Sequence, residues 1–111
     1  MKIQSVTSES SAGVSGTFAP RPKLAWSDFH IVLVIAQHGS VARACAALDM
    51  THSTLLRKLD LIENRLRTRM FARARGHYTP TAAGAEIVEA ARGFEVVASA
   101  AETRISGQDL R

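Results

Sequence analysis

Ser40-Val-Ala-Arg-Ala-Cys-Ala-Ala-Leu48, then Asp49-Met50, then Thr51-His-Ser-Thr-Leu-Leu-Arg57-Lys-Leu-Asp-Leu-Ile62, is the stretch that decides the fold. Ser40 and Thr51 each stand just ahead of a periodic apolar segment, where a hydroxyl can accept a hydrogen bond from an unpaired helix N–H. Only Asp49 and Met50 separate Leu48 from the second cap, so two short helices must turn sharply against each other. That spacing predicts a helix-turn-helix over about residues 41–60, whose second helix can enter the major groove of a duplex.

The second of these helices is expected over His52 to Asn64. Leu55, Leu59, Ile62 and Leu66 recur at four-three-four spacing and give it a packing face. The opposite face carries His52, Ser53, Leu56, Arg57 and Asp60, with Thr54 near its start. It is short and polar at the beginning and basic in the middle, as a groove-reading helix should be. An ordinary solvated helix face fits as well, because charged exposed faces are common; the short turn and the segment that follows favour the groove. Upstream, a helix is expected from Asp28 to Gln37, capped by Ser27 and stopped by Gly39. Phe29, Val32, Leu33 and Ala36 form its buried stripe, with Ile35 beside them and Trp26 over one end. His30 and His38 fall on the solvated side.

After Arg65 the period changes. Met70-Phe-Ala-Arg73 and His77-Tyr-Thr-Pro80 are short strands around Ala74-Arg75-Gly76, where the glycine permits a tight turn. Pro80 lacks a ladder donor and keeps its strand short or at an edge. A hairpin beside a helix-turn-helix is a wing. Phe71 and Tyr78 are expected to pack inward, with Arg73, Arg75 and His77 reaching outward to phosphates or the minor groove; a structural flap with solvated arginines is the plainer reading. From Thr81 to about Ile105 the sequence reads as one long helix. Ile87, Ala91, Phe94, Ala98, Ala101 and Ile105 step by four and three alternately, widened by Val88 and Val97, as in the seam of paired helices. Little chain remains to cover that seam, so a second copy is the economical partner.

Charge is distributed to match. Residues 1–23 carry net +2, residues 24–80 net +4 and residues 81–111 net −2, which together give the +4 of the 111-residue chain. Seven basic side chains between Arg57 and Arg75 face two acidic ones, which suits a polyanionic partner for that segment. Residues 1–23 are rich in Ser, Thr and Gly, without a period, and read as a disordered tail. Arg21 and Lys23 lie near enough to the domain to serve as a minor-groove arm, although a tail without specific function is simpler. Residues 106–111 read as a second tail.

Other chemistries lack their residues. No glycine-rich phosphate loop occurs, and no Cys or His pairs have zinc-ligand spacing. The four histidines are dispersed over separate elements. His52 and Ser53 are adjacent and diverge on a helix, so they form no base–nucleophile pair, and Glu86 and Glu89 lie on an open helix. Neither enzymatic activity, nor a cofactor, nor a metal or small-molecule site is expected. Cys45 shares the stripe of Val41, Ala44 and Leu48 and reads as a small buried hydrophobe, with no disulfide possible within the chain. No apolar run approaches a membrane span and no secretory signal is evident, so a cytoplasmic location is expected.

Taken in order, Trp26-Ser-Asp28, Ala36-Gln-His-Gly-Ser40, Ala44 to Leu48, Ser53-Thr-Leu-Leu-Arg57, Leu59 to Leu66 with Glu63, Met70-Phe-Ala-Arg73 and Thr81-Ala-Ala-Gly84 resemble the N-terminal DNA-binding region of the LysR-type bacterial transcription regulators. The molybdate-responsive regulators share the winged architecture, but their glycine-rich wing is missing here. The LysR resemblance implies a mainly α-helical winged helix-turn-helix at 24–80 and a linker helix at 81–105 that joins two copies. It further implies binding to interrupted inverted repeats in double-stranded DNA. Thr51, His52, Ser53, Thr54 and Arg57 would face the groove, and Arg75 would sit in the wing. His52 replaces a usual Gln, while Asp49 and Arg67 stand where turn glycines are common. The family's effector-binding domain would follow the linker helix, and this sequence ends there. A function in sequence-specific transcription regulation is therefore expected. The competing reading is a protein-interaction module that pairs with a full-length relative and blocks its DNA binding.

Overall fold

A computed structural model describes the backbone from residue 22 to residue 109 and the side chains to residue 107. The order is α1 (Trp26–His38), α2 (Val41–Leu48), α3 (His52–Leu66), β1 (Phe71–Ala74), β2 (His77–Pro80) and α4 (Ala82–Asp109). This is the expected winged helix-turn-helix followed by a long helix. The N-terminal tail lies outside the described residues except for its last two, and Arg21 lies outside with it. At the other end α4 continues through residues that read as a tail, to Asp109.

Helix α1 begins two residues earlier than Ser27 suggested. Ala25 is the extended residue before it, and the Asp28 carboxylate accepts the Ala25 N–H at 2.9 Å. Trp26 is thereby drawn into the helix, where its ring lies 4.2 Å from that of Phe94 on α4. The helix ends as expected, at Gly39 in the left-handed region with φ 71°. Ile31 through Ile35 are all buried. A single stripe was expected; the helix is instead enclosed, because α2, α3, α4 and β2 all pack against it. His30, expected in solvent, is half-buried, with Nδ1 3.8 Å from a Glu95 carboxylate oxygen on α4.

The core joins Leu33 and Ile35 to Val41 and Ala44 of α2, Leu55, Leu59 and Ile62 of α3, Met70, Phe71, and Val88 and Ala91 of α4. Each large aliphatic side chain buried here contributes about 1.5–3 kcal/mol relative to exposure. Cys45 is half-buried beside this core and free. The α2–α3 turn closes at Asp49 (φ 55°), with Met50 N–H donating to Cys45 O at 3.1 Å. Arg67 closes α3 in the same left-handed conformation, at φ 55°. Both are positions where a glycine would be at ease and a side chain costs about 1–2 kcal/mol.

Helix α4 is fixed to the head at its start. Thr81 N–H donates to Met70 O at 2.9 Å, the Thr81 hydroxyl donates to Arg69 O at 2.6 Å, and Thr81 Oγ1 accepts the Gly84 N–H at 3.1 Å. Gly84 is required there, since a Cβ would overlap the Met70 carbonyl oxygen. Among the described residues, no helix is long and apolar enough to cross a membrane.

Candidate nucleic-acid interface

The amino-terminal half of α3 is held from behind and open in front. Leu55 and Leu59 are wholly buried, while His52, Ser53, Arg57 and Asp60 are exposed. Thr51 Oγ1 accepts the Thr54 N–H at 3.2 Å, and the Thr51 hydroxyl donates to Thr54 Oγ1 at 2.8 Å. The Thr51 hydroxyl is thus occupied as both acceptor and donor in forming the helix start, while Thr54, half-buried, accepts through its hydroxyl oxygen. Leu56, assigned from sequence to the open face, instead packs partly against the core. The exposed polar groups of this face are those of His52, Ser53, Arg57 and Asp60.

The hairpin is antiparallel, pairing Phe71 with Pro80, Ala72 with Thr79, Arg73 with Tyr78 and Ala74 with His77. Met70, expected in the first strand, precedes it and is buried. Arg75 (φ 53°) and Gly76 (φ 75°) form the turn; two left-handed residues in succession match the twist of the flanking strands. Arg75 is exposed at the tip. Tyr78 N–H donates to Gly39 O at 2.9 Å, tying the second strand to the α1–α2 turn. The His77 imidazole lies over that turn, where a Cβ on Gly39 would approach its Cε1 to 3.2 Å. Phe71 is buried as expected, and its ring meets Tyr78 edge-on with centroids 5.9 Å apart.

Arg73 departs from its expected outward course. Its guanidinium turns back to 3.6 Å from Glu63 Oε1 and lies 5.1 Å from the centroid of the Tyr78 ring. Glu63 also accepts the Met70 N–H on its other oxygen at 2.8 Å. Sequence reading gave Glu63 no task, because the groups it holds are seven and ten positions away and follow a change of backbone period.

The dimer seam is divided. Ala91 is buried and Ile87 partly so, both against the core of their own head. Phe94 is half-exposed, with Trp26 beside it. Ala98 and Ala101 are half-buried, and Val97 and Ile105 are open to solvent. The expectation that too little chain remains to cover the seam therefore fails for its first two rungs, which α1 and the rest of the head core enclose. An apolar hollow of about 250 Å³ lies where the head meets α4, lined by Leu24, Trp26, Phe29, Ala90 and Phe94 among others. Among the described residues, no three His, Cys, Asp or Glu side chains are grouped to hold a metal ion.

Residues 26–85 match the family model of the bacterial regulatory helix-turn-helix proteins, lysR family. No curated protein matches the chain. Among solved structures, it is similar to full-length LysG of Corynebacterium glutamicum with bound effector Arg. The TM-score is 0.70 and the identity 22%, over 77% of this chain and 29% of that one. It is also similar to CbnR_DBD in a complex with DNA, at TM-score 0.65 and 21% identity, over 77% and 98% of the two chains. A third likeness is to full-length OxyR of Pseudomonas aeruginosa, at TM-score 0.60 and 22% identity, over 77% and 28%. The chain covers under a third of these full-length regulators.

Proposed function

The chain belongs to the lysR family of bacterial regulatory helix-turn-helix proteins, and from that premise we propose that it binds double-stranded DNA sequence-specifically, as a homodimer, in the control of transcription. The observation that carries this reading is the open start of α3. His52, Ser53 and Arg57 project from a helix whose other face is locked by Leu55, Leu59 and Ile62. A reading helix must be rigid on one side and polar on the other, so that few side chains can reach base edges without loss of order.

The wing adds a backbone contact. Arg75 occupies a left-handed turn position, where asparagine or glycine would be less strained. A cation kept there at a cost of about 1–2 kcal/mol is well placed to meet a phosphate or the minor groove. His77, over the α1–α2 turn, lies farther from the tip and plays the smaller part. Arg73 serves the wing from within.

Two copies join through the outer part of α4, where Phe94, Val97 and Ile105 are exposed large apolar side chains. The 28-residue helix is about 42 Å long, enough to hold two heads near successive major-groove faces roughly 34 Å apart. A two-fold pair of heads reads an interrupted inverted repeat. The same open apolar surface supports a second reading, in which α4 captures a full-length relative and withdraws it from DNA. Selection from random duplex DNA with the purified chain tests the choice. Enrichment of a two-fold repeat, bound by a dimer, supports the direct reader; no enrichment favours capture of a relative.

A further inference from the structure

We propose that Glu63 and Arg73 are positioning residues that hold the wing at a fixed offset from α3, so that Arg75 meets the duplex only while this pair is intact. The inference rests on the DNA-binding reading above. A two-stranded hairpin is marginal by itself, and this one is braced at both strands. On β2, Tyr78 N–H is bonded to Gly39 O. On β1, the brace is Glu63 in the last turns of α3. Its carboxylate takes the Met70 N–H on one oxygen and faces the Arg73 guanidinium with the other. Arg73 lies against the face of Tyr78, its register partner across the hairpin. The result is a continuous path from reading helix to first strand, to second strand, to the α1–α2 turn.

Burial separates this pair from a surface ion pair. The Glu63 side chain is 11% exposed and that of Arg73 33%. Over an aromatic face and beside a carboxylate, the guanidinium already has two partners. Swinging out to a phosphate would forfeit both and leave a nearly buried carboxylate with the Met70 N–H but no counter-charge, which is costly. Arg75 is exposed at the hairpin tip, and no ion pair or ring contact holds it among the described residues.

The two roles for Arg73 give opposite results for Glu63→Gln. That change keeps an acceptor for the Met70 N–H and removes only the charge. If Arg73 were a phosphate contact restrained by Glu63, the variant would release it, and loss of a negative charge would tighten binding to a polyanion. A positioning pair requires weaker binding, by roughly three- to tenfold, and a wing that no longer protects the DNA backbone in hydroxyl-radical footprints while major-groove protection by α3 persists. Arg73→Met should do the same, so the pair can be judged even if one variant folds poorly in thermal unfolding.

Salt dependence supplies the second readout. Arg75→Ala should lower the salt slope by about one unit, and Arg73→Met with Arg75→Ala should lower it no further, since Arg73 acts through Arg75. A double variant that loses about two units makes Arg73 a phosphate contact and overturns the inference, as does Glu63→Gln binding as tightly as the wild type or more tightly. A wild-type chain that binds no duplex overturns the DNA-binding reading and this inference with it; a wild type that binds leaves the variants to decide the inference alone.

Discussion

Gly84→Ala and Gly93→Ala make the same chemical change in the same helix, and the structure assigns them opposite signs. Gly84 lies in the first turn of α4 beneath Met70. A Cβ there would overlap the Met70 carbonyl oxygen and come within 2.9 Å of its carbon. Both are backbone atoms and cannot rotate away, so the start of α4 must retreat. Overpacking of this kind costs about 1–3 kcal/mol. Retreat also loosens the bonds from Thr81 to Met70 O and Arg69 O, at about 0.5–1.5 kcal/mol each. Alanine returns about 1 kcal/mol in helix propensity, leaving a net loss of about 1–5 kcal/mol. Gly93 meets nothing within 4 Å, so there the propensity gain stands alone and alanine stabilises by about 1 kcal/mol. Urea unfolding followed by circular dichroism measures both. Fluorescence of Trp26, which touches Phe94 on α4, reports whether the helix has moved from the head. Equal stabilisation by the two substitutions, or a Gly84→Ala change below about 0.5 kcal/mol, would refute the close approach at Met70.

Arg67→Gly should stabilise the head by about 0.5–1 kcal/mol in the same assay, because a left-handed residue is replaced by one that adopts this conformation freely, less the entropy glycine loses on folding. Arg57→Ala should weaken specific binding by about 1–3 kcal/mol in DNA titrations while leaving the unfolding curve in place, since Arg57 is exposed and off the packing face. His52→Gln should change preference at one or two base pairs in a repeated selection, with overall affinity little altered; an identical selected site removes His52 from the readout. Val97→Asp should yield a monomer with an intact head in sedimentation, because Val97 is 67% exposed and a charge there spoils an apolar contact between copies. It is a cleaner probe than Phe94→Asp, which also breaks the stack on Trp26.

Local bonds were legible in the sequence. Ser40, which accepts the Arg43 N–H, and Thr51, which accepts the Thr54 N–H, act over three residues, so a short motif contains the whole interaction. Gly39 closes α1 for an equally local reason, its left-handed backbone. Ser27 failed as a cap because Asp28 reaches back to Ala25 N–H instead, which places Trp26 on the helix and against Phe94. Two side chains near each other in sequence competed for one role, and a contact with α4, remote in sequence, accompanies the winner. Arg73 was misjudged for a related reason. An arginine in a short strand reads as unpartnered until the carboxylate ten residues upstream is brought beside it.

The long helix shows most plainly what periodicity leaves open. A stripe stepping by four and three states that one face is apolar, and the pattern is the same whether the cover comes from the same chain or from another. In α4 both occur in succession. Ile87 and Ala91 are taken by the head, which fastens the helix to α1; Val97 and Ile105 are left open. Phe94 sits at the change, half-exposed and against Trp26. In the proposed dimer, a partner helix on the outer stretch would be joined to each α3 through packed side chains: from Phe94 to Trp26, along the enclosed α1, and across its core to Leu55 and Leu59 of α3. The spacing between two reading helices then depends on the packing between α1 and α4 as well as on the contact between copies.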